Sequence, residues 1–360
     1  MCLQECFDCT DWDTFKNTCD NLDELTDVCC SYAVFCKDMI IPSKTVKMYP
    51  NNKPWVTSAV KGGLVKKRLA FQQGSLADQH VASRELKTEI SKAKNAYKSK
   101  MEDNMASNNL GSVWSSMRTI VGHQNPKSSS RIILNGFNSD IESSNAFNVF
   151  YNRFDTVDFS NTTQEPEDML VDTQHFKIEQ KEVEKAFLKI KVNKSHGPDK
   201  ICGRLLKSCA VQLSHVFNYI FNMSLKAQHV PEIWKDAVIV PVPKSSCPKT
   251  LSDFRPVALT FILMKTFEKM VRAELLRKTE CVLDPLQFAY RPHRRVEDDT
   301  VTLFNSILSH LEGPGSHARL LFVDFSSAFN TIQPHILTNR LLEQFDAIKN
   351  LAGWILNFLT

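Results

Sequence analysis

The sequence lacks any long apolar run and is poor in glycine. No stretch of about 18 apolar residues occurs, so no segment is expected to span a membrane. Only 11 of the 360 residues are glycine, which argues against a low-complexity chain. Residues Met1 to Trp12 are polar and acidic, and they lack the apolar core of a signal peptide. The protein is therefore expected to be intracellular, nuclear or cytoplasmic, and neither secreted nor bound to a membrane.

Cysteine is abundant but unevenly placed. Seven of the eleven cysteines lie between Cys2 and Cys36, and only Cys6 and Cys9 have the C-x-x-C spacing. A zinc site is one interpretation of this cluster. The interpretation we favour is a set of reduced cysteines, several of them on the buried face of a helix. The odd total in an intracellular chain also argues against a disulfide framework.

The net formal charge of +4 hides a strong segregation of charge. Residues 1–52 hold nine acidic and four basic residues, whereas residues 53–100 hold eleven basic and three acidic residues. The second segment is expected either to present a solvated helix face or to contact nucleic acid. The candidate contacts are Lys66, Lys67, Arg68, Lys92 and Lys94.

Length and hydrophobic patterning predict two or three domains and an α+β fold class. Helical periodicity indicates a helical, partly basic region at 1–122. Pro126, three serines and a later acidic stretch indicate a flexible acidic linker at 123–175. From residue 176 onward, predicted helices accompany a strand at Ala237–Val242 and an antiparallel partner at Phe254–Thr260.

The run from Arg319 to Ile332 carries the strongest chemical signal in the chain. Its apolar first half predicts a buried strand that delivers one carboxylate, Asp324, to its exit, and a turn into a helix then follows. A carboxylate at the end of an apolar strand is costly unless something pairs with it, and a metal ion is the usual partner.

Four more segments precede this run in a fixed order. They are Asn193–Ile201, Trp234–Lys244 with its Ile-Val-Pro-Val-Pro-Lys ending, Asp253–Thr260 and Leu283–Pro292. Together, the five segments resemble the fingers and first palm motif of the reverse transcriptase of LINE-type (non-LTR) retrotransposons, over about Phe176 to Thr360. Residues Pro50–Trp55 and the lysine-rich helices are similar to the region between endonuclease and polymerase in such elements. The resemblance implies an RNA-directed DNA polymerase that takes an RNA template, a DNA primer and dNTPs, with the oligomeric state left open.

The resemblance implies nucleotidyl transfer with two Mg²⁺ ions that stabilise the attacking and leaving oxygens. Asp324 would ligate both ions, and the backbone carbonyl of Phe325 would add a ligand. Phe329 would lie beneath the sugar of the incoming nucleotide and exclude a 2′-hydroxyl. A plain core phenylalanine is the alternative for Phe329.

Two basic residues match positions that contact phosphate in this family. Arg255 corresponds to an arginine on the incoming triphosphate, where a guanidinium fork suits phosphate oxygens. Its alternative is a salt bridge to Asp253 or another acid. Lys244 lies where the fingers hold a basic residue near phosphates, and a simple surface lysine is the alternative.

Three arginines and one acidic cluster remain between these segments. Arg291, Arg294 and Arg295 either touch the template backbone or belong to a solvated turn. Asp298 and Asp299 are predicted to begin a helix, where acids are favoured by the helix dipole, and not to form the second catalytic pair. Gly197-Pro198 is predicted to be a tight turn, with His196 structural.

Only 36 residues follow Asp324, and they hold no second catalytic hairpin. We therefore expect a fragment that does not polymerise DNA alone and that leaves a sheet edge exposed. One alternative is a non-catalytic nucleic-acid-binding remnant. Another is an interaction protein built from the N-terminal helices.

Overall fold

The computed structural model describes residues 2–42, 53–74, 76–107, 117, 139–154, 176–280, 282–315, 317–325, 328–345 and 349–360. The chain divides into two compact units. The first unit contains Met1–Ser43 together with Ile141–Thr360, and the second contains Lys44–Asp140. Among the described helices, none is long and apolar enough to cross a membrane.

Three capped helices open the first unit: α1 (Leu3–Asp8), α2 (Trp12–Thr18) and α3 (Leu22–Ile40). The Asn21 side chain accepts a 2.8 Å hydrogen bond from the backbone of Glu24, which satisfies a free N–H at the start of α3. Three cysteines of α3, namely Cys29, Cys30 and Cys36, are buried. This confirms the prediction that several cysteines lie on the buried face of a helix.

The second unit contains the helices α4 (Ser58–Gln73) and α5 (Leu76–Ala106). Thr57 caps α4 by accepting a hydrogen bond from Val60, and Gly74 ends it with a left-handed φ of 78°. A Cβ on Gly63 would lie only 3.0 Å from Cδ1 of Leu86. The missing side chain therefore allows α4 to approach α5 closely.

The first unit continues with short and long helices around a two-stranded sheet. They are α6 (Asp140–Tyr151), α7 (Gln180–Leu188), α8 (Gly203–Ser208), α9 (Ala210–Ala227), α10 (Glu232–Lys235), α11 (Ile262–Thr279), α12 (Val296–Glu312), α13 (Pro334–Gln344) and α14 (Lys349–Leu359). Phe221 of α9 stacks on Phe267 of α11 with ring centroids 4.4 Å apart, and Trp354 of α14 meets Phe267 edge-on. The apolar core lies around these rings.

The predicted strand pair is confirmed. β1 (Ala237–Pro243) pairs antiparallel with β2 (Phe254–Thr260), with Ala237 opposite Thr260 at one end. Pro241 lies opposite Pro256 in the ladder. Proline has no backbone N–H, so the two residues that cannot donate a hydrogen bond face each other at this position. The described chain is thus mostly helical with a small sheet, which is compatible with α+β.

Helix α6 lies inside the stretch predicted to be a linker. Its Phe147 is buried and meets Phe254 of β2 edge-on, with ring centroids 5.2 Å apart. The flanking stretches 123–138 and 155–175 lie outside the described residues. The domain boundaries at 1–122, 123–175 and 176–360 stay a prediction, and the two compact units have different bounds.

The prediction of a buried strand before Asp324 is wrong. Residues 317–325 form no strand, and the side chains of Leu321, Phe322 and Val323 are 89%, 80% and 70% exposed. A strand needs a ladder partner, and in the described ranges the sheet consists of β1 and β2 alone. Among the described residues, none covers the exposed side chains of Leu321, Phe322 and Val323.

Candidate nucleotide and nucleic-acid site

The loop between β1 and β2 brings two predicted phosphate ligands to one end of the sheet. Arg255 lies opposite Val242 in the ladder. The backbone N–H of Lys244 donates a 2.7 Å hydrogen bond to the carbonyl of Asp253, so the pairing extends one residue beyond β1. Lys244 and Arg255 are therefore close in register, and both are exposed.

Asp253 shapes this loop and does not neutralise Arg255. Its carboxylate accepts hydrogen bonds from the backbone N–H groups of Lys249 and Thr250, each 2.9 Å, and from the Thr250 hydroxyl at 3.0 Å. These hydrogen bonds lower the pKa of the Asp253 carboxyl, and the bond from the backbone of Lys249 has the largest effect. No salt bridge joins Arg255 to an acid within the described ranges, so that alternative finds no support.

Asp324 and Phe325 are exposed and lie at the end of the unpaired segment 317–325. Phe325 is 75% exposed. The side chain of Phe329 is not among those that the structure describes. Among the residues that the structure describes, no three His, Cys, Asp or Glu side chains come together as a metal site, and no hydrogen bond or ion pair links Asp324 to Arg255. One carboxylate does not fit a pair of Mg²⁺ ions.

The three arginines before α12 take part in a turn. A guanidinium nitrogen of Arg291 donates to the Asp284 carbonyl at 3.0 Å, and the Arg294 guanidinium lies 5.2 Å from the centre of the Phe288 ring. The backbone of Arg295 donates to the Asp298 carboxylate at 2.8 Å. Arg294 and Arg295 are exposed, and Arg291 is half-buried. A role in template binding stays a prediction for each of them.

The acidic cluster after these arginines begins a helix, as predicted. Glu297, Asp298 and Asp299 occupy the first turn of α12. Their negative charges face the positive end of the helix dipole, which is a stabilising arrangement. This confirms the structural interpretation of the cluster.

The predicted basic residues of the second unit lie on α4 and α5, where Lys67 is half-buried and the other four are exposed. Lys66 lies 3.9 Å from Glu85, and Lys92 lies 3.0 Å from Glu89. The ammonium groups of Lys67 and Lys94 lie over the rings of Phe71 and Trp55, at 5.7 Å and 5.5 Å from the ring centres. Arg68 is exposed on α4. Exposed pairs of this kind contribute little to stability, so all five side chains stay accessible to an anion.

The segment Asn193–Ile201 forms the tight turn that its Gly-Pro predicts. The backbone N–H of Lys200 donates to the Gly197 carbonyl at 3.3 Å. A Cβ on Gly197 would lie 2.8 Å from the backbone nitrogen of Phe261, so only glycine fits here. Burial raises the pKa of Asp199 to about 6, and one of its carboxylate oxygens is buried without a partner among the described atoms.

One feature of the first unit was missed by the sequence analysis. Helices α7 and α11 enclose a cleft of about 1110 Å³ whose floor includes Val257 and Leu259 of β2. We call it the basic cleft, because six lysines line it: Lys185, Lys189, Lys191, Lys194, Lys265 and Lys269. Lys185 and Lys189 are four residues apart, as are Lys265 and Lys269, and this spacing was a signal available in the sequence.

Comparison with known proteins supports the resemblance found in the sequence. No family model matches the chain. The chain is 25% identical over 173 residues to the probable RNA-directed DNA polymerase from transposon BS of Drosophila melanogaster, covering 47% of this chain. It is 24% identical over 154 residues to the probable polymerase from transposon X-element and 25% identical over 154 residues to that from mobile element jockey, both of the same organism.

The matches cover a limited part of each protein. The two 154-residue matches cover 42% of this chain. The chain spans 19% of the length of the first relative and 17% of the other two. Two of these relatives are named as probable RNA-directed DNA polymerases of transposons, and the third is named as the RNA-directed DNA polymerase of a mobile element. The resemblance of this chain to the reverse transcriptases of LINE-type retrotransposons is thereby confirmed for part of its length.

Proposed function

We propose that this chain supplies the fingers and the first palm motif of an RNA-directed DNA polymerase of a LINE-like retroelement. The similarity to three such polymerases supports the family. The observation that carries the site is the β1–β2 loop end, where Arg255 is exposed and Asp253 is occupied with the loop backbone. In this proposal, 176–360 is the polymerase part, 1–122 a partly basic helical region and 123–175 a linker.

Arg255 binds the triphosphate of the incoming dNTP. A guanidinium is always charged and presents a planar fork of N–H donors, which matches two phosphate oxygens at once. Lys244 lies beside it in register, and its ammonium donates a 2.7 Å hydrogen bond to the Ser252 carbonyl. An ammonium has three donors, so this bond leaves Lys244 able to contact a phosphate as well.

Asp324 supplies one metal ligand, and Phe325 offers its backbone carbonyl next to it. A two-metal site needs further carboxylates, so the 360-residue polypeptide alone is not expected to extend a primer. Phe329 is proposed to exclude the 2′-hydroxyl of a ribonucleotide. The RNA template and DNA primer are contacted by Arg291, Arg294 and Arg295 and by the basic residues of α4 and α5.

The test is dNTP binding to a complex of the 360-residue chain with an RNA template and DNA primer. Arg255→Gln is expected to weaken dNTP binding about tenfold or more, because a charge-assisted bidentate contact is lost. Primer–template binding should stay unchanged. Arg204→Gln, an exposed arginine on α8, is the matched control. Equal dNTP affinity of the two variants would reject the role of Arg255.

A non-catalytic nucleic-acid-binding protein is the second candidate function. It is favoured by the exposure of Asp324 and by the lack of a carboxylate cluster in the described ranges. This candidate predicts RNA binding that weakens steeply with salt, without any dNTP binding. The same experiment therefore separates the two candidates.

A further inference from the structure

The basic cleft holds far more positive than negative charge. Seven cationic side chains line it, the six lysines and Arg277, against the two carboxylates of Glu182 and Glu274. Glu274 is occupied by Arg277, with bonds of 2.7 and 2.8 Å, and Glu182 accepts a hydrogen bond from the backbone of Glu179. The lining therefore carries a formal excess of five positive charges.

The lysines stand in two rows. Lys185 of α7 and Lys189, the residue that caps the C-terminus of α7, are four residues apart, as are Lys265 and Lys269 on α11. Side chains at this spacing lie on the same face of a helix, about 5–6 Å apart, and like charges there repel each other. No salt bridge neutralises any of the four within the described part of the chain. The carboxylate of Glu268 attracts Lys265 and Lys269 and offsets part of this repulsion, and an anion bound between the rows would offset the rest.

The floor of the basic cleft is apolar. Val257 and Leu259 of β2, Ile262 and Met270 of α11 all contribute to it. Val257 is 42% exposed even though it belongs to the sheet. A purely ionic ligand would not cover this surface, whereas a chain with charges at its edge and flat apolar groups inside would do so.

Part of the cleft floor and Arg255, the proposed triphosphate ligand, belong to the same strand. Side chains alternate along a strand, so Arg255, Val257 and Leu259 share one face of β2. Two residues of a strand span roughly 6–7 Å. Arg255 is not part of the cleft lining, and it lies two residues beyond Val257 along the strand.

We infer that the basic cleft binds the sugar–phosphate backbone of a single nucleic-acid strand and directs that strand toward Arg255. The lysine rows contact phosphates, and unpaired bases cover the apolar floor. A duplex would hide its bases from that floor, so the site fits a single strand. This inference rests on the proposed function for the role of Arg255, but the cleft can be tested separately.

The test is fluorescence anisotropy of labelled U12 RNA and dT12 DNA with the full 360-residue chain over a range of salt concentrations. The variant Lys185→Gln/Lys189→Gln/Lys265→Gln/Lys269→Gln removes the two rows. It is expected to bind at least about tenfold more weakly at 100 mM salt. It should also lower the slope of log affinity against log salt by about 2–3, since each lost contact to a single strand accounts for about 0.7.

The matched control removes four positive charges elsewhere in the first unit, as Lys200→Gln/Arg204→Gln/Lys207→Gln/Lys226→Gln. All four residues are exposed and lie outside the cleft lining. This variant should bind within about twofold of wild type, because the side chains it changes contact no phosphate. Thermal unfolding of both variants checks that neither effect comes from loss of the fold.

Three results would overturn the inference. Equal RNA affinity of the cleft variant and the control would reject nucleic-acid binding by the basic cleft, but it would leave the proposed function untouched. Competition by polyglutamate as strong as that by RNA of equal charge would assign the cleft to an acidic protein. Absence of any RNA or DNA binding by the wild-type chain would reject both the cleft and the proposed function.

Discussion

The ammonium group of Lys244 donates a 2.7 Å hydrogen bond to the carbonyl oxygen of Ser252, across the loop that joins β1 to β2. The backbone N–H of the same lysine is bonded to Asp253. Lys244 therefore fixes the loop that also positions Arg255. Because both its ammonium group and its backbone N–H are bonded within the loop, Lys244 has a structural role in addition to its proposed contact with phosphate.

Lys244→Met should loosen this loop. The variant keeps the aliphatic stem and loses the side-chain hydrogen bond, so the free energy of unfolding is expected to fall by about 0.5–1 kcal/mol. Lys249→Met is the control, because the structure bonds the backbone nitrogen of Lys249 to Asp253 and leaves its side chain exposed. Urea denaturation measures both. Equal effects of the two substitutions would contradict a role for the Lys244 ammonium.

Gly197→Ala should destabilise the first unit by about 1–3 kcal/mol, because the new methyl group meets backbone that has no room to move. The nearest atom would be the backbone nitrogen of Phe261, at 2.8 Å. Gly313→Ala provides the comparison, since its nearest contact would be an ordinary 3.6 Å. That variant should stay within about 0.5 kcal/mol of wild type. If Gly197→Ala left the free energy of unfolding unchanged, the turn would have to relax around the new methyl group.

Asp199 should make stability depend on pH. Burial raises its pKa to about 6 in the folded chain, against about 3.9 in an unfolded one. The folded state then binds the proton more tightly, so this residue lowers the free energy of unfolding as pH rises from about 4 to 6, with no further change above.

Asp199→Asn removes this titration. The stability of the variant relative to wild type is expected to be higher at pH 7.5 than at pH 4.5, since only the wild type carries the buried charge at the higher pH. Urea denaturation at the two pH values gives this difference directly. If the stability difference between Asp199→Asn and wild type were the same at pH 4.5 and at pH 7.5, Asp199 would not titrate in this range.

Asp324→Ala should leave stability unchanged within about 0.5 kcal/mol, because the side chain is exposed and bonds no other described residue. In a primer-extension assay with Mg²⁺, an RNA template and all four dNTPs, neither wild type nor variant is expected to extend the primer. Extension by the wild type that disappears in Asp324→Ala would contradict the expectation that one carboxylate is insufficient.

Features set by neighbouring residues could be predicted from the sequence. The strand at Ala237–Val242 and its antiparallel partner at Phe254–Thr260 were predicted from their local sequences. The acids after Arg295 indicated the start of α12. The buried cysteines of α3 followed from helical spacing.

Features that need distant partners could not be predicted in the same way. An apolar run becomes a buried strand only when other strands pair with it, and the segment before Asp324 has none among the described residues. The basic cleft joins lysines such as Lys185 and Lys265, which are 80 residues apart in the sequence. Their proximity depends on how α7 and α11 pack.

The most direct measurement is photo-crosslinking with a deoxynucleotide that carries an aryl azide on its γ-phosphate, in the presence of Mg²⁺ and an RNA–DNA primer–template. Peptide mapping of the 360-residue chain should locate the label between Val242 and Arg255, and excess dNTP should suppress it. Label confined to the lysines of α4 and α5, or label that excess dNTP does not reduce, would contradict a triphosphate site at the β1–β2 loop.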